Sequence, residues 1–321
     1  MSAFNREAGL SLAKKIEHYI AEKKEFSLKD LYEEFGNQHA HETIRARVYE
    51  SNKVIRTGRG SYILAGIDIE AVIEEVDTKE HIYKLVDSKV KYDMIFIDSP
   101  YSVGGVHGGN RQLVDFKLIT PEEFGDIAIQ VEKLLKDEDS QVYFMIAGGK
   151  SSLKDAQKYI NMFDKTGLKL VSSGSYTKLT KSGKVCNMGA YEMPAEQILV
   201  YSKSGRERFE DAGEMNYRFQ RPPLPKAGGY RTEKPIELMR AIIERATKHG
   251  EKILDLFAGS GVTLEAGLEL GRKIHGLEIC KNAIDNHILP RIRKFETIIE
   301  QTIDTVSFSE NRKQTTLYDF I

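Results

Sequence analysis

The sequence predicts an α/β protein carrying a small helical domain in front of its sheet. Three observations lead there. From Lys91 to Ile279, buried-strand patterns alternate with amphipathic-helix patterns, which implies a mostly parallel sheet covered on both faces. Residues 10–64 read differently, as three short helices and a hairpin. A length of 321 residues suits two domains at about 150 residues each.

In the first segment, Leu12, Ile16, Tyr19 and Ile20 recur at helical spacing. Ser27 caps a second helix, LKDLYEEF, which Gly36 and Asn37 end. HAHETIRARVYES reads as a third helix, with Ile44 and Val48 on one face and Arg45 and Arg47 on others. VIRTGRGSYIL follows as two short strands around a glycine turn. This order resembles a small winged helix-turn-helix domain, assigned to residues 1–66. Arg45, Arg47, Lys53, Arg56 and Arg59 outnumber Glu42 and Glu50 there. Arg45, Arg47, Arg56 and Arg59 are therefore candidate DNA contacts. An ordinary helical domain with a solvated charged face, or a protein-binding wing, is the other reading.

Residues 67–90 are acidic and read as a linker helix into a domain spanning 91–302. YDMIFID is a short apolar run with the length of a buried strand. PEEFGDIAIQVEKLLKD is a helix, QVYFMIA a strand and SSLKDAQKYINMFDKTG a helix. KLVSSGSY and EQILVYSK are strands, and PIELMRAIIERATKHG is an amphipathic helix. KILDLFAG, VTLEAGLELG and KIHGLEI close the series as strand, helix and strand. Stretches 177–194 and 205–234 lack periodicity, are rich in Lys, Arg, Gly and Tyr, and are candidate substrate-facing loops. There are no internal repeats.

Composition excludes several classes. Lys and Arg total 47 against 48 Asp and Glu, so a nucleic-acid surface has to be a local patch. No apolar run reaches the roughly 18 residues of a membrane span. MSAFNREAGLSLAKK lacks the apolar core of a signal peptide, so a cytoplasmic protein is expected. Cys186 and Cys280 are too few for a disulfide framework or a four-thiolate zinc site. The eight histidines show no HExxH spacing, and no catalytic metal is expected. Eight Pro and 26 Gly argue against long disorder.

Two segments carry the chemistry. In ILDLFAGSGVTLEAGLELGRKIHGLEI a strand ends at Asp255, and Gly259 and Gly261 turn the chain into a helix. Such a turn brings backbone N–H groups close to a ligand at the sheet's end. The next strand ends in Glu278, whose carboxylate can accept from both hydroxyls of a ribose. Leu264 stands where a dinucleotide fingerprint would place Gly or Ala. The second segment is MIFIDSPYSVGG, a strand running into Asp98-Ser99-Pro100-Tyr101.

The Asp-Leu-Phe-Ala-Gly-Ser-Gly string resembles the S-adenosylmethionine loop of methyltransferases. Together with Asp98-Ser99-Pro100-Tyr101 it resembles the amino-methyltransferases of DNA, whose strand-end motif is Asp/Asn/Ser-Pro-Pro-Tyr/Phe. Ser99 departs from that pattern. The Asp98 element comes first and the glycine loop last, with Thr232-Glu233-Lys234-Pro235 just ahead of the final helix. That order resembles the beta-type group, and AEQILVYSK with Glu196 resembles one of its late strands. The resemblance spans roughly residues 90–295. It implies a seven-stranded Rossmann-like methyltransferase sheet with S-adenosylmethionine as cofactor. Asp255, Phe257, Ala258, Gly259, Ser260, Gly261, Glu278, Lys234 and Pro235 would line the cofactor site. Asp98, Ser99, Pro100 and Tyr101 would be catalytic. Asp98 and a backbone carbonyl would accept from an exocyclic amino group, and Tyr101 would stack on the extruded base. The implied activity is adenine-N6 methylation of double-stranded DNA. Cytosine-N4 methylation, a regulator with an inactive methyltransferase domain, and an RNA amino-methyltransferase stay open, as does a homodimer.

Fainter signals have bland alternatives. His107, Gly108, Gly109 and Asn110 either hinge a lid or form a plain loop. Cys280 reads as a small core residue. Lys178, Lys181 and Lys184 either contact phosphate or belong to a solvated loop. The tail, 303–321, ends Gln314-Thr315-Thr316-Leu317-Tyr318-Asp319-Phe320-Ile321. Gln314, Leu317, Phe320 and Ile321 resemble a sliding-clamp-binding peptide of the PCNA type, and Gln314, Leu317 and Tyr318 the bacterial type. The alternative is a tail folded back on its own sheet.

Overall fold

The structure is a computed structural model. It describes residues 11–23, 25–50, 54–58, 61–64, 70–99, 119–147, 150–186, 195–209, 213–220, 222 and 233–295. The chain divides into two compact units, 70–292 and the remainder.

The first unit contains α1 (Leu12–Lys23), β1 (Glu25–Ser27), α2 (Leu28–Phe35), α3 (His41–Glu50), β2 (Val54–Gly58) and β3 (Ser61–Leu64). Its strands form an antiparallel sheet in the order β1-β3-β2. The expected helical faces form its core: Ile16, Ile20, Leu31, Phe35, Ile44 and Val48 are buried with Phe26 and Tyr62. Ser27 starts α2 through a capping box. Asp30 N–H donates to its hydroxyl at 3.2 Å, and its own N–H donates to the Asp30 carboxylate at 2.7 Å.

The second unit contains β4 (Glu70–Glu75), α4 (Thr78–Asp87), β5 (Met94–Ile97), α5 (Pro121–Leu134), β6 (Gln141–Ala147), α6 (Lys150–Phe163), β7 (Lys169–Leu179), β8 (Ala195–Ser202) and β9 (Asn216–Gln220). It continues through α7 (Ile236–Ala246), β10 (Lys252–Asp255), α8 (Val262–Glu269), β11 (Lys273–Glu278) and α9 (Lys281–Ala283), which runs into a π turn at Ile284–Ile288. One sheet runs β4-β11-β10-β5-β6-β8-β7-β9. Strands β4, β11, β10, β5 and β6 are mutually parallel, β8 is antiparallel to β6 and β7, and β9 is parallel to β7. Alternation along each strand splits the apolar residues between two faces. Ile95, Ile97, Val142, Phe144 and Ile146 pack with Ile82 of α4, Phe124 and Ile127 of α5, and Phe163 of α6. On the other face α8 lies on β4, β10 and β11, with α7 beside it.

Among the described residues the sheet has eight strands, not the expected seven. Residues 67–90 were expected as a linker helix, but β4 and α4 occupy 70–87, so the second unit begins at Glu70 rather than residue 91. The Glu-rich run of β4 favours a helix locally. Six paired positions against β11, from Glu70↔Lys273 to Glu75↔Glu278, override that preference. Strand β9 likewise falls in the expected loop 205–234; Tyr217 and Phe219 alternate with exposed neighbours, but a run of five residues becomes a strand through its register with β7. Among the described residues no helix is long and apolar enough to cross a membrane.

Candidate active site

Three carboxylates gather at the carboxyl ends of adjacent parallel strands: Asp98 just past β5, Asp255 closing β10 and Glu278 closing β11. Ligands of open α/β sheets bind along this edge. The Asp255 carboxylate accepts from Phe257 N–H at 3.0 Å. Ala258 N–H donates to the Leu277 carbonyl at 2.9 Å, tying the turn to β11. Gly259 and Gly261 take φ of 55° and 78°, the left-handed region that favours glycine. A Cβ on Gly261 would come within 3.0 Å of Ile288. Glu278 spans the turn, its two oxygens accepting from Gly259 N–H at 2.7 Å and Cys280 N–H at 2.8 Å.

Burial governs the ionisation of these two acids. It pushes the Asp255 carboxyl up to about 7, against the Phe257 amide and the Thr263 hydroxyl. It also raises Glu278, while the Cys280 and Gly259 amides pull the other way. Asp255 is 1% exposed and organises the turn from beneath, whereas Ile279, next to Glu278, is 46% exposed.

Asp98 sits in a different environment. Lys234 Nζ donates to its Oδ2 at 2.5 Å and lies 3.4 Å from Glu196 Oε2. Lys178 Nζ meets Glu196 Oε1 at 2.6 Å. Two ammonium groups and two carboxylates thus form one largely buried, neutral set, in which the Asp98 side chain is the most exposed at 24%. Burial lifts the Asp98 carboxyl above the usual range; Lys234 opposes this and Glu196 reinforces it. Burial also works against the Glu196 charge, but Lys234 and Lys178 outweigh it and hold that carboxyl low. Burial disfavours the Lys234 ammonium, yet the two carboxylates hold its pKa well above the ordinary lysine value. Lys234 is held in place from its flank: Arg291 pairs with Glu233 at 2.8 Å and with Glu265 of α8.

The structure brings together Asp255, Phe257, Ala258, Gly259, Ser260, Gly261 and Glu278 at the glycine turn, with Ala258 and Ser260 buried beneath it. Lys234, expected at the cofactor, donates to Asp98, and Pro235 starts α7. Ser99 is buried and its hydroxyl has no partner among the described residues. Pro100, Tyr101, His107–Asn110 and Arg59 lie outside the described residues, as does the whole tail with Gln314, Leu317, Tyr318, Phe320 and Ile321. Arg45 and Arg47 are exposed on α3, and Arg56 lies in β2. Cys280, expected in the core, is only half-buried, and its N–H donates to Glu278. Lys181 and Lys184 are exposed on a turn, but Lys178 points onto Glu196. Glu196 and Lys178 had no sequence role at Asp98. Sequence reasoning places Glu196 only on a late strand and Lys178 only as a candidate phosphate contact.

This sheet has the fold of a solved DNA methyltransferase. Residues 92–288, more than half of the chain, match the DNA methylase family model, and the chain belongs to that family. It is 25% identical over 214 residues to the DNA adenine methyltransferase YhdJ of Escherichia coli strain K12, covering 58% of this chain and 71% of that one. Its fold is similar to M1.HpyAVI in complex with SAM, with a TM-score of 0.52 and 17% identity over 69% of this chain and 98% of that one. It is also similar to the cytosine-N4-specific PvuII DNA methyltransferase, with a TM-score of 0.51 and 13% identity over 74% of this chain and 95% of that one.

Proposed function

We propose that the chain transfers a methyl group from S-adenosylmethionine to the N6 amino group of adenine in double-stranded DNA. The observation that carries this reading is the partly open Asp98 carboxylate, one strand away from the glycine turn of β10. The turn fits the cofactor. Gly259 and Gly261 present no side chain, Glu278 retains lone pairs for ribose hydroxyls, and exposed Ile279 offers an apolar surface to an adenine ring. M1.HpyAVI, of similar fold, is known with SAM bound. Bound there, the cofactor supplies an electrophilic methyl on a sulfonium.

The chain's own residues prepare the nucleophile. An exocyclic amino group is a poor one because its lone pair is delocalised into the ring. Asp98 accepts a hydrogen bond from one amino hydrogen, and the carbonyl of Ser99 or Pro100 accepts the other. Both draw the lone pair back onto nitrogen. The bound cofactor would supply the methyl and keep the C–S electron pair as a neutral thioether, and the Asp98 carboxylate would carry away the proton that the nitrogen sheds. Tyr101 stacks on the extruded base. Positioning and loss of the sulfonium charge supply the rate.

Asp98 at the head of the motif favours adenine, and the name of YhdJ agrees. Ser99 and the fold likeness to the PvuII enzyme keep cytosine N4 as the second reading. The first unit, read as a winged helix, grips the duplex through Arg45, Arg47, Arg56 and Arg59. The tail docks on a sliding clamp through Gln314, Leu317, Tyr318, Phe320 and Ile321. The protein works in the cytoplasm. The test is methylation of mixed genomic DNA followed by nucleoside mass spectrometry. N6-methyldeoxyadenosine is expected. N4-methyldeoxycytidine moves the assignment to cytosine, and cofactor binding without any methylated nucleoside points to the inactive regulator.

A further inference from the structure

We propose that Lys178 is a positioning residue that takes up the Glu196 carboxylate, so that Lys234 stays with Asp98 and the free Asp98 oxygen is turned to the target amino group. This rests on the reading of Asp98 as the amino-group acceptor. The geometry is a relay across the sheet from β7 past β8 and β6 to the end of β5. Glu196 pairs with Tyr176 in the register of β7 and β8, which places Lys178, two residues along the same face, diagonally across from it. Lys178 takes Glu196 Oε1 at 2.6 Å. Glu196 Oε2, 3.4 Å from Lys234, makes no hydrogen bond among the described residues, so Lys234 gives its short bond of 2.5 Å to Asp98 Oδ2.

The arrangement settles a competition. One ammonium, Lys234, stands between two carboxylates. Without Lys178 the full charge of Glu196 would draw Lys234 away from Asp98, in a place where little water screens the pull. With Lys178 present, Glu196 is satisfied from its far side and Lys234 stays with Asp98. That leaves Asp98 Oδ1 for the substrate. The charged groups facing Asp98 are Lys234 ahead of α7, Glu196 of β8, Lys178 of β7 and Asp255 of β10. Burial raises the Asp98 carboxyl, and Lys234 and, more weakly, Lys178 work against that rise. Lys178 is thereby used inside the protein rather than on DNA phosphate.

The test is the acid limb of the pH profile for single-turnover methylation by the full chain at saturating DNA and S-adenosylmethionine. Lys178→Met should move the limb up by at least about one unit, and Glu196→Gln should move it down. The double variant, which restores the charge balance, should return it toward the wild type. Infrared difference spectra against Asp98→Asn read the same carboxyl titration without turnover and should shift in the same directions. Glu196→Gln is nearly isosteric, so it decides the matter even if Lys178→Met fails to fold. A limb and a carboxyl band that stay in place in Glu196→Gln, or that move the same way in both single variants, overturn the relay. So does a Lys178→Met variant that loses only DNA affinity and flattens its salt dependence. A wild type that methylates no DNA while its Asp98 band shifts as expected removes the methyltransferase reading and leaves the relay as an ionisation device.

Discussion

At the residue scale, the carboxylates of one sheet edge divide the work by their surroundings. Asp98 is partly open and faces a lysine, Glu278 is occupied by two backbone amides, and Asp255 is sealed beneath the turn. Asp98→Ala should lower kcat by at least about a hundredfold with little change in S-adenosylmethionine affinity, measured by calorimetry and single-turnover assay. Glu278→Ala should do the reverse and weaken cofactor binding by about 1.5–3 kcal/mol, since its oxygens hold the turn as well as the ribose. Asp255 gives a stability prediction. Its folded carboxyl titrates near 7, above the ordinary value, so between those two values the folded state binds more protons than the unfolded one. Wild-type stability therefore falls as pH rises through that window. Asp255→Asn does not titrate. Its stability relative to wild type should rise by at most about 3 kcal/mol from pH 5 to pH 8. Thermal unfolding of both cofactor-free proteins at the two values checks this, and a constant difference would contradict it.

At the element scale, the turn between β10 and α8 depends on backbone freedom. Gly261 combines a left-handed φ with a Cβ position 3.0 Å from a side-chain carbon of Ile288 and 3.2 Å from that residue's backbone. Gly261→Ala should cost about 1–3 kcal/mol in stability and lower cofactor affinity at least about tenfold, because the turn has to shift off its bond to β11. Denaturant unfolding and calorimetry on the same preparation separate the two effects. Strand β4 shows the opposite balance. Its local preference is helical, and only the parallel register with β11 makes it extended. This is why the expectation of a linker helix there failed.

At the scale of the whole molecule, the two units predict separable functions. Deleting residues 1–66 leaves the second unit, which begins at Glu70, and should preserve S-adenosylmethionine binding. DNA binding should weaken, and the slope of log affinity against log salt should fall by about 0.9 for each lost phosphate contact. An unchanged slope in fluorescence anisotropy would assign the first unit another task. A peptide of residues 309–321 should bind a sliding clamp with micromolar affinity and lose it on Leu317→Ala. Absence of binding in calorimetry would favour a tail that folds back.

The sequence by itself determined the α/β class, most elements of both units, the glycine turn and the placing of Asp98 and Glu278 at strand ends. Those features rest on local patterns: apolar runs of strand length, helical spacing such as Ile44 and Val48, and glycines where the chain must turn. Tertiary structure alone decided the eighth strand, the place of β9, and the union of Lys178, Glu196, Lys234 and Asp98. Their physical basis is pairing between segments far apart in the chain. No local pattern encodes which lysine a buried carboxylate will meet once the sheet has closed around it.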